Sequence, residues 1–278
     1  MRYRLPPPRC SVHRSLPFFV SALPIITLDG VRILHPHNPK SSLLNDVSWQ
    51  VEAGSFWVVA GLQGSGKSAL LETIAGIRPQ ASGSVQLFGE TIPIRSDDAL
   101  ALTEIRRRTG LLFKGNGRLF PALSVLENLA LPRCYHRNET LSEAASDLAP
   151  LINYLELDGL LEQIPSHLGS SWSRRVALGR ALAQQPELIL LDNPLSGLDT
   201  TQMRWWRQFL RDASQGHPAL GGSPLTLVIT TDELTPLLPL GHQFALTHGG
   251  RWTVLGNRAA VHTARGQEGV REILGEIH

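Results

Sequence analysis

Cysteine is nearly missing: Cys10 and Cys134 are the two in 278 residues, far apart and in no metal-ligand spacing. That excludes a disulfide framework and a thiolate metal site, and makes a reducing cytosol the default compartment. An excess of one charge is missing as well. Lysine and arginine number 26 against 24 acids, a formal charge of +2, so no chain-wide field recruits nucleic acid or an anionic membrane. Any phosphate chemistry must then be local. No apolar run approaches the roughly 20 residues that span a bilayer, so membrane contact would need a partner chain. What is present is ordinary globular material, 42% hydrophobic and 18% charged, long enough for one substantial core or two modest ones.

The first fourteen residues carry Arg2, Arg4, Arg9 and Arg14 without an acid, and 16–26 is apolar, the outline of a short secretory signal. Prolines at 17 and 24 interrupt that stretch, and with Pro6, Pro7 and Pro8 the segment 1–23 reads better as a disordered, basic, proline-rich tail. Beyond it, 25–34 and 43–51 read as strands, the second closing at the turn of Ala53 and Gly54. The run 56–60 is apolar throughout and leads through a glycine-rich loop into a helix over 68–77. A strand at 82–88, a helix at 97–108 and a strand at 110–113 follow. From 114 to about 167 the pattern turns helical, with helices expected at 124–131, 142–156 and 160–164. A helix at 173–184, a strand at 188–191, a helix at 202–213 and a strand at 225–229 complete the core, with 215–224 as a surface loop. Wholly apolar strands alternating with helices imply a parallel sheet covered on both faces.

Residues 61–68 read GLQGSGKS, which fits G-x-x-x-x-G-K-[ST] between a strand and a helix. Gly61, Gly64 and Gly66 let the backbone curl so that successive N–H groups face phosphate oxygens, and the following helix adds its positive end. Lys67 would neutralise the β and γ phosphates and the Ser68 hydroxyl would ligate magnesium. LILLD at 188–192 places Asp192 at the carboxyl end of a buried strand, where a nucleotide's magnesium sits in such sheets. A helix-capping aspartate is the plainer alternative there.

These pieces, with TGLLF at 109, LFPALSVLENLALP at 119, RRVALGRALAQQPELILLD at 174 and PLSGLD at 194, resemble the ATP-binding cassette family, the nucleotide-binding subunits of ABC transporters. The resemblance implies an α/β fold: a P-loop NTPase core with a mostly parallel sheet, an antiparallel β subdomain and an inserted helical subdomain at about 114–167. The cassette would span 24–256, with 257–278 as a C-terminal tail. It implies ATP and Mg2+ as cofactors, Ser68 and Asp192 holding the metal, and Gly61, Gly64, Ser65, Gly66, Lys67, Ser68 and Ala69 lining the phosphates. It also implies a head-to-tail dimer with a second cassette subunit, contacted by Ser196 to Asp199. Membrane-spanning permease subunits would dock near 118–131, so the chain would be cytoplasmic and peripheral on the inner face of the cell membrane. No nucleic acid partner is expected. The 119–132 stretch also looks somewhat like lipid-transport (Mla-type) subunits.

Four positions depart from the family pattern. Asn193 stands where a glutamate after Asp192 would activate water, and an amide lacks the basicity. Thr231 replaces the switch histidine and Lys114 a magnesium-binding glutamine, and an ammonium cannot ligate a metal. The signature segment reads LGSSW over 168–172, so Gly169, Ser170 and Ser171 would offer N–H groups to the partner's γ-phosphate, with Trp172 packing at the interface. The family stacks the adenine on an aromatic after the first strand, for which His37 or His35 would serve here, an exposed loop histidine being the plainer alternative. Binding should therefore survive better than turnover. The leading expectation is a transporter ATP-binding subunit with slow or impaired hydrolysis, and the alternative is a nonhydrolytic, ATP-dependent regulator or scaffold.

Overall fold

Alternation of apolar and polar side chains builds the first layer. In the computed structural model, residues 24–36, 38–93, 99–115 and 117–275 are described. Strand β1 (Ile26–His35) pairs antiparallel with β2 (Asn38–Val51) on one side and β4 (Ser82–Leu87) on the other, with the two-residue β5 (Glu90–Thr91) at the edge. Ile26, Leu28, Val31 and Ile33 of β1 are buried, and the register shifts between Leu28 and Val31 keep them on one face.

The second sheet has the order β10-β9-β3-β8-β7-β6. Its members are β3 (Phe56–Ala60), β6 (Thr109–Leu112), β7 (Leu188–Asp192), β8 (Thr226–Thr231), β9 (Gln243–His248) and β10 (Arg251–Gly256). All pair in parallel except β10, which runs antiparallel at the edge. Because side chains alternate across a strand, β3 sends Phe56, Val58 and Ala60 into one core and Trp57 and Val59 into the other. β7 divides the same way, Ile189 and Leu191 against Leu188 and Leu190. The fold is therefore a mixed α/β one with a mostly parallel sheet beside an antiparallel sheet.

The helices cover both faces. α1 (Lys67–Ile74) and α2 (Ala99–Arg108) pack towards the antiparallel layer. α3 (Val125–Arg137), α4 (Leu141–Tyr154), α5 (Ser170–Leu182) and α6 (Thr200–Gln215) share the other core. α7 (Arg258–Thr263) and α8 (Glu268–Ile273) return Val261, Val270 and Ile273 to that core. No helix among the described residues is long and apolar enough to cross a membrane.

Three segments differ from expectation. The helix expected at 160–164 does not form, apart from a 3₁₀ turn at Asp158–Leu160. The carbonyls of Leu161 and Gln163 instead accept from Leu126 N and Val125 N, satisfying N–H groups that the first turn of α3 cannot bond internally. α3 itself runs six residues past the expected end at 131, through Pro132. Proline forfeits one helical hydrogen bond, but the turn beyond it is held by buried Arg133, ion-paired with Glu139 and Asp147. β9 and β10 lie where no strand was expected.

Candidate functional site

Parallel pairing brings three strand ends to one edge. Ala60 stands opposite Thr231, and Asp192 opposite Thr230, so the loop after β3 lies beside the residues that follow β7 and β8. The start of the glycine-rich loop is bonded to this edge directly, Gly61 N donating to Thr231 O at 3.2 Å. A Cβ on Gly61 would lie 2.2 Å from Thr247 Oγ1 and 2.4 Å from Thr247 O, so nothing larger fits. Gly66, at φ 96°, adopts a conformation that side-chain-bearing residues avoid. Ser65 Oγ is 2.7 Å from Thr247 Oγ1, which braces the loop against β9. Gly64, Ser68, Ala69, Lys114 and Asp192 line an adjoining cleft of about 290 Å³, with His35 at its far side. His37 lies outside the described residues.

Lys67 opens α1 with its side chain only 6% exposed. Its Nζ donates to Gly61 O at 2.6 Å and Leu62 O at 2.8 Å and is ion-paired with Asp232 Oδ1 at 2.8 Å. Burial pushes the Lys67 pKa down, and the Asp232 carboxylate resists that shift. For Asp232 burial works against ionisation, but Lys67, Lys114 and the Asn193 amide outweigh it and hold the carboxyl below its ordinary value.

Asp192, buried at the end of β7, accepts from Thr230 Oγ1 at 2.7 Å, and that hydroxyl accepts from Asn193 N at 3.0 Å. Asn193 sits at φ 50°, a region asparagine tolerates, and its Nδ2 donates to Asp232 Oδ2 at 2.7 Å. Lys114 Nζ lies 3.7 Å from the same oxygen. The Thr231 hydroxyl is engaged in its own turn, donating to Glu233 O at 2.6 Å and accepting from Glu233 N at 3.1 Å.

The signature segment is elsewhere on the chain's surface. Gly169 caps α5, Gly169 and Ser170 are exposed, and Ser171 is half-buried. Trp172 lies half-buried within its own chain, its ring 4.6 Å from the Arg175 guanidinium, which also covers Trp205 at 3.9 Å. Arg174 donates to Pro194 O at 2.8 Å, Ser196 O at 2.9 Å and Gly115 O at 3.3 Å. Arg180 donates to Gly117 O at 2.7 Å. These arginines tie α5 to the loops after β6 and β7. No role was expected for Thr230, Asp232, Thr247, Arg174 or Arg180, although Thr230 and Asp232 flank the switch position and arginine recurs at 174, 175 and 180 beside a buried strand.

A strand, a glycine-rich loop and a helix with a buried lysine, beside a strand-end aspartate, define a P-loop nucleotide-binding domain. The chain belongs to the ABC transporter family, whose pattern it matches over residues 44–196. It is 32% identical over 254 residues to the sulfate/thiosulfate import ATP-binding protein CysA of Xanthomonas campestris pv. campestris, covering 90% of this chain and 70% of that protein. The CysA of Caulobacter vibrioides is 32% identical over 238 residues, 84% of this chain and 66% of that protein. The chain thus spans about two thirds of the length of these relatives. Among solved structures, the dimeric ATP-binding cassette MJ0796, bound to ADP and Pi, superposes with a TM-score of 0.70 at 26% identity, covering 81% of this chain and 95% of that one. The cbiO1 protein of Clostridium perfringens shares the fold, with a TM-score of 0.70 at 18% identity over 91% of this chain and 99% of that one.

Proposed function

We propose that the chain is the ATP-binding subunit of an import transporter, binding Mg-ATP at a dimer interface to drive or gate transport by separate membrane-spanning subunits. Hydrolysis is slow in this reading. The observation that carries it is Lys67 buried beneath the glycine-rich loop while Asn193, an amide, fills the position after Asp192. The ammonium and the loop amides suit a polyphosphate, and an amide neither accepts a proton nor carries the charge to orient water.

A hydroxyl from Ser68 and a carboxylate from Asp192 share the cleft. Two hard oxygen donors fit Mg2+, which is usually held by one or two carboxylates plus the substrate's phosphates rather than by a protein cage. The metal would supply charge neutralisation across the phosphates. Gly169, Ser170 and Ser171, exposed or half-buried at the start of α5, would complete the site of a second cassette subunit, and His35 would flank the base. His37 belongs to the same proposal. Import is taken from the named relatives, which serve sulfate and thiosulfate; a small oxyanion is the corresponding cargo class. The chain would then lie on the cytoplasmic face, held there by its permease.

Calorimetric titration with Mg-ATP tests this reading. Heat of association in the wild type, lost in Lys67→Ala, is expected; no association in the folded wild type would refute it. The nonhydrolytic regulator is the second reading. It is favoured by the Asn193 amide being committed to Asp232 at 2.7 Å, and it requires that Asn193→Glu leave turnover undetectable.

A further inference from the structure

Two of the groups around Lys67 Nζ, the carbonyls of Gly61 and Leu62, are neutral. The charge of this buried ammonium is balanced by Asp232, 2.8 Å away, as a buried cation requires. The second carboxylate oxygen accepts from Asn193 Nδ2 at 2.7 Å and faces Lys114 Nζ at 3.7 Å. One carboxylate thus gathers two ammonium groups and an amide donor, each from a different strand end. That donor set is what the terminal phosphoryl group of a nucleotide would meet in this cleft, since the lysine of such a loop serves the β and γ phosphates.

We propose that Asp232 is a built-in stand-in for the third phosphate, and that it sets the preference of the site between ATP and ADP. The inference rests on the reading of the cleft as an ATP site and deepens it. ATP must take Lys67 and Lys114 from the carboxylate, whereas ADP leaves the Asn193 and Lys114 side of the contact in place. Like charge makes the choice exclusive, because a phosphoryl dianion and a carboxylate in contact repel each other.

The local structure allows that exchange. Gly61 N is bonded to Thr231 O, and the Thr231 hydroxyl bridges both backbone groups of Glu233, so the main chain on either side of Asp232 is held. The Asp232 side chain is 36% exposed, which leaves it room to swing towards solvent by side-chain rotation alone. The neighbouring residue also fits. A glutamate at 193 would press a second carboxylate against Asp232, while the asparagine present donates to it. Asn193 lines the nucleotide cleft and also a second cavity shared with Ser196, Gly197 and Asp232, so releasing Asp232 frees a residue that faces both.

The test is calorimetric titration of the wild type, Asp232→Asn and Asp232→Ala with Mg-ATP and, separately, with Mg-ADP. Asp232→Asn keeps the shape should Asp232→Ala fold poorly. Both variants are expected to raise the ratio of ATP to ADP affinity by about fivefold or more. A purely structural ion pair would move both nucleotides together and leave the ratio alone. A wild type that binds ATP, with variants whose ratio stays within about twofold or falls, overturns the stand-in role and leaves the cassette reading intact. A wild type that binds neither nucleotide overturns both.

Discussion

At residue scale the site depends on a few positions where chemistry leaves no choice. Gly61 is one, because an added methyl group would overlap both Thr247 Oγ1 and Thr247 O. Gly61→Ala must push the loop away from β9 and misaim its N–H groups. The expected result is at least a ~100-fold loss of Mg-ATP affinity by calorimetry, with the far-ultraviolet circular dichroism spectrum retained. The loop was legible in the sequence because its function fixes residue types at fixed spacing, and Asp192 because a carboxylate ending an apolar run is unusual. The pairing of Asp232 with Lys67 and the bracing of the loop by Thr247 were not legible. Both come from strands β8 and β9 lying next to β3, a neighbourhood that no local pattern encodes. Thr231, in the place of the switch histidine, spends its hydroxyl on a turn with Glu233.

Single elements obey the same division between local and tertiary signals. β3, β7 and β8 are buried at every residue, and the apolar runs of β3 and β7, with Leu227, Val228 and Ile229 in β8, announced them. β10 is an edge strand whose residues are exposed or half-buried without regular alternation, so it went unread. α3 shows why its ends were misjudged. Its start is fixed by a capping box, Ser124 Oγ accepting from Glu127 N while Glu127 Oε2 accepts from Ser124 N. Its continuation past Pro132 is held by Arg133, paired with Glu139 just ahead of α4 and with Asp147 on α4. Ser124→Ala removes one half of the capping box, and a loss of about 1 kcal/mol in urea-unfolding free energy is expected. Because Leu161 and Gln163 also bond the first turn, the helix should persist in that variant.

For the whole molecule, two apolar cores on either face of one parallel sheet support a site made from loops at a single sheet edge. α5 crosses from that edge outwards, its Arg174 gripping Gly115, Pro194 and Ser196 carbonyls while its N-terminus faces solvent. Arg174 thus ties α5 to the loop holding Lys114 and to the loop after Asp192. On the proposed function the chain grips a triphosphate yet cuts it slowly, with Asn193 and Thr231 in the positions that would handle water. The most direct measurement is a single turnover: protein in excess over labelled Mg-ATP, quenched over time, with bound nucleotide separated into ATP and ADP. Bound label is expected to remain ATP, with cleavage at least ~100-fold slower than in a cassette carrying glutamate and histidine at those positions. Label appearing as ADP at the rate of such a cassette, and no longer doing so in Asn193→Ala, would contradict it.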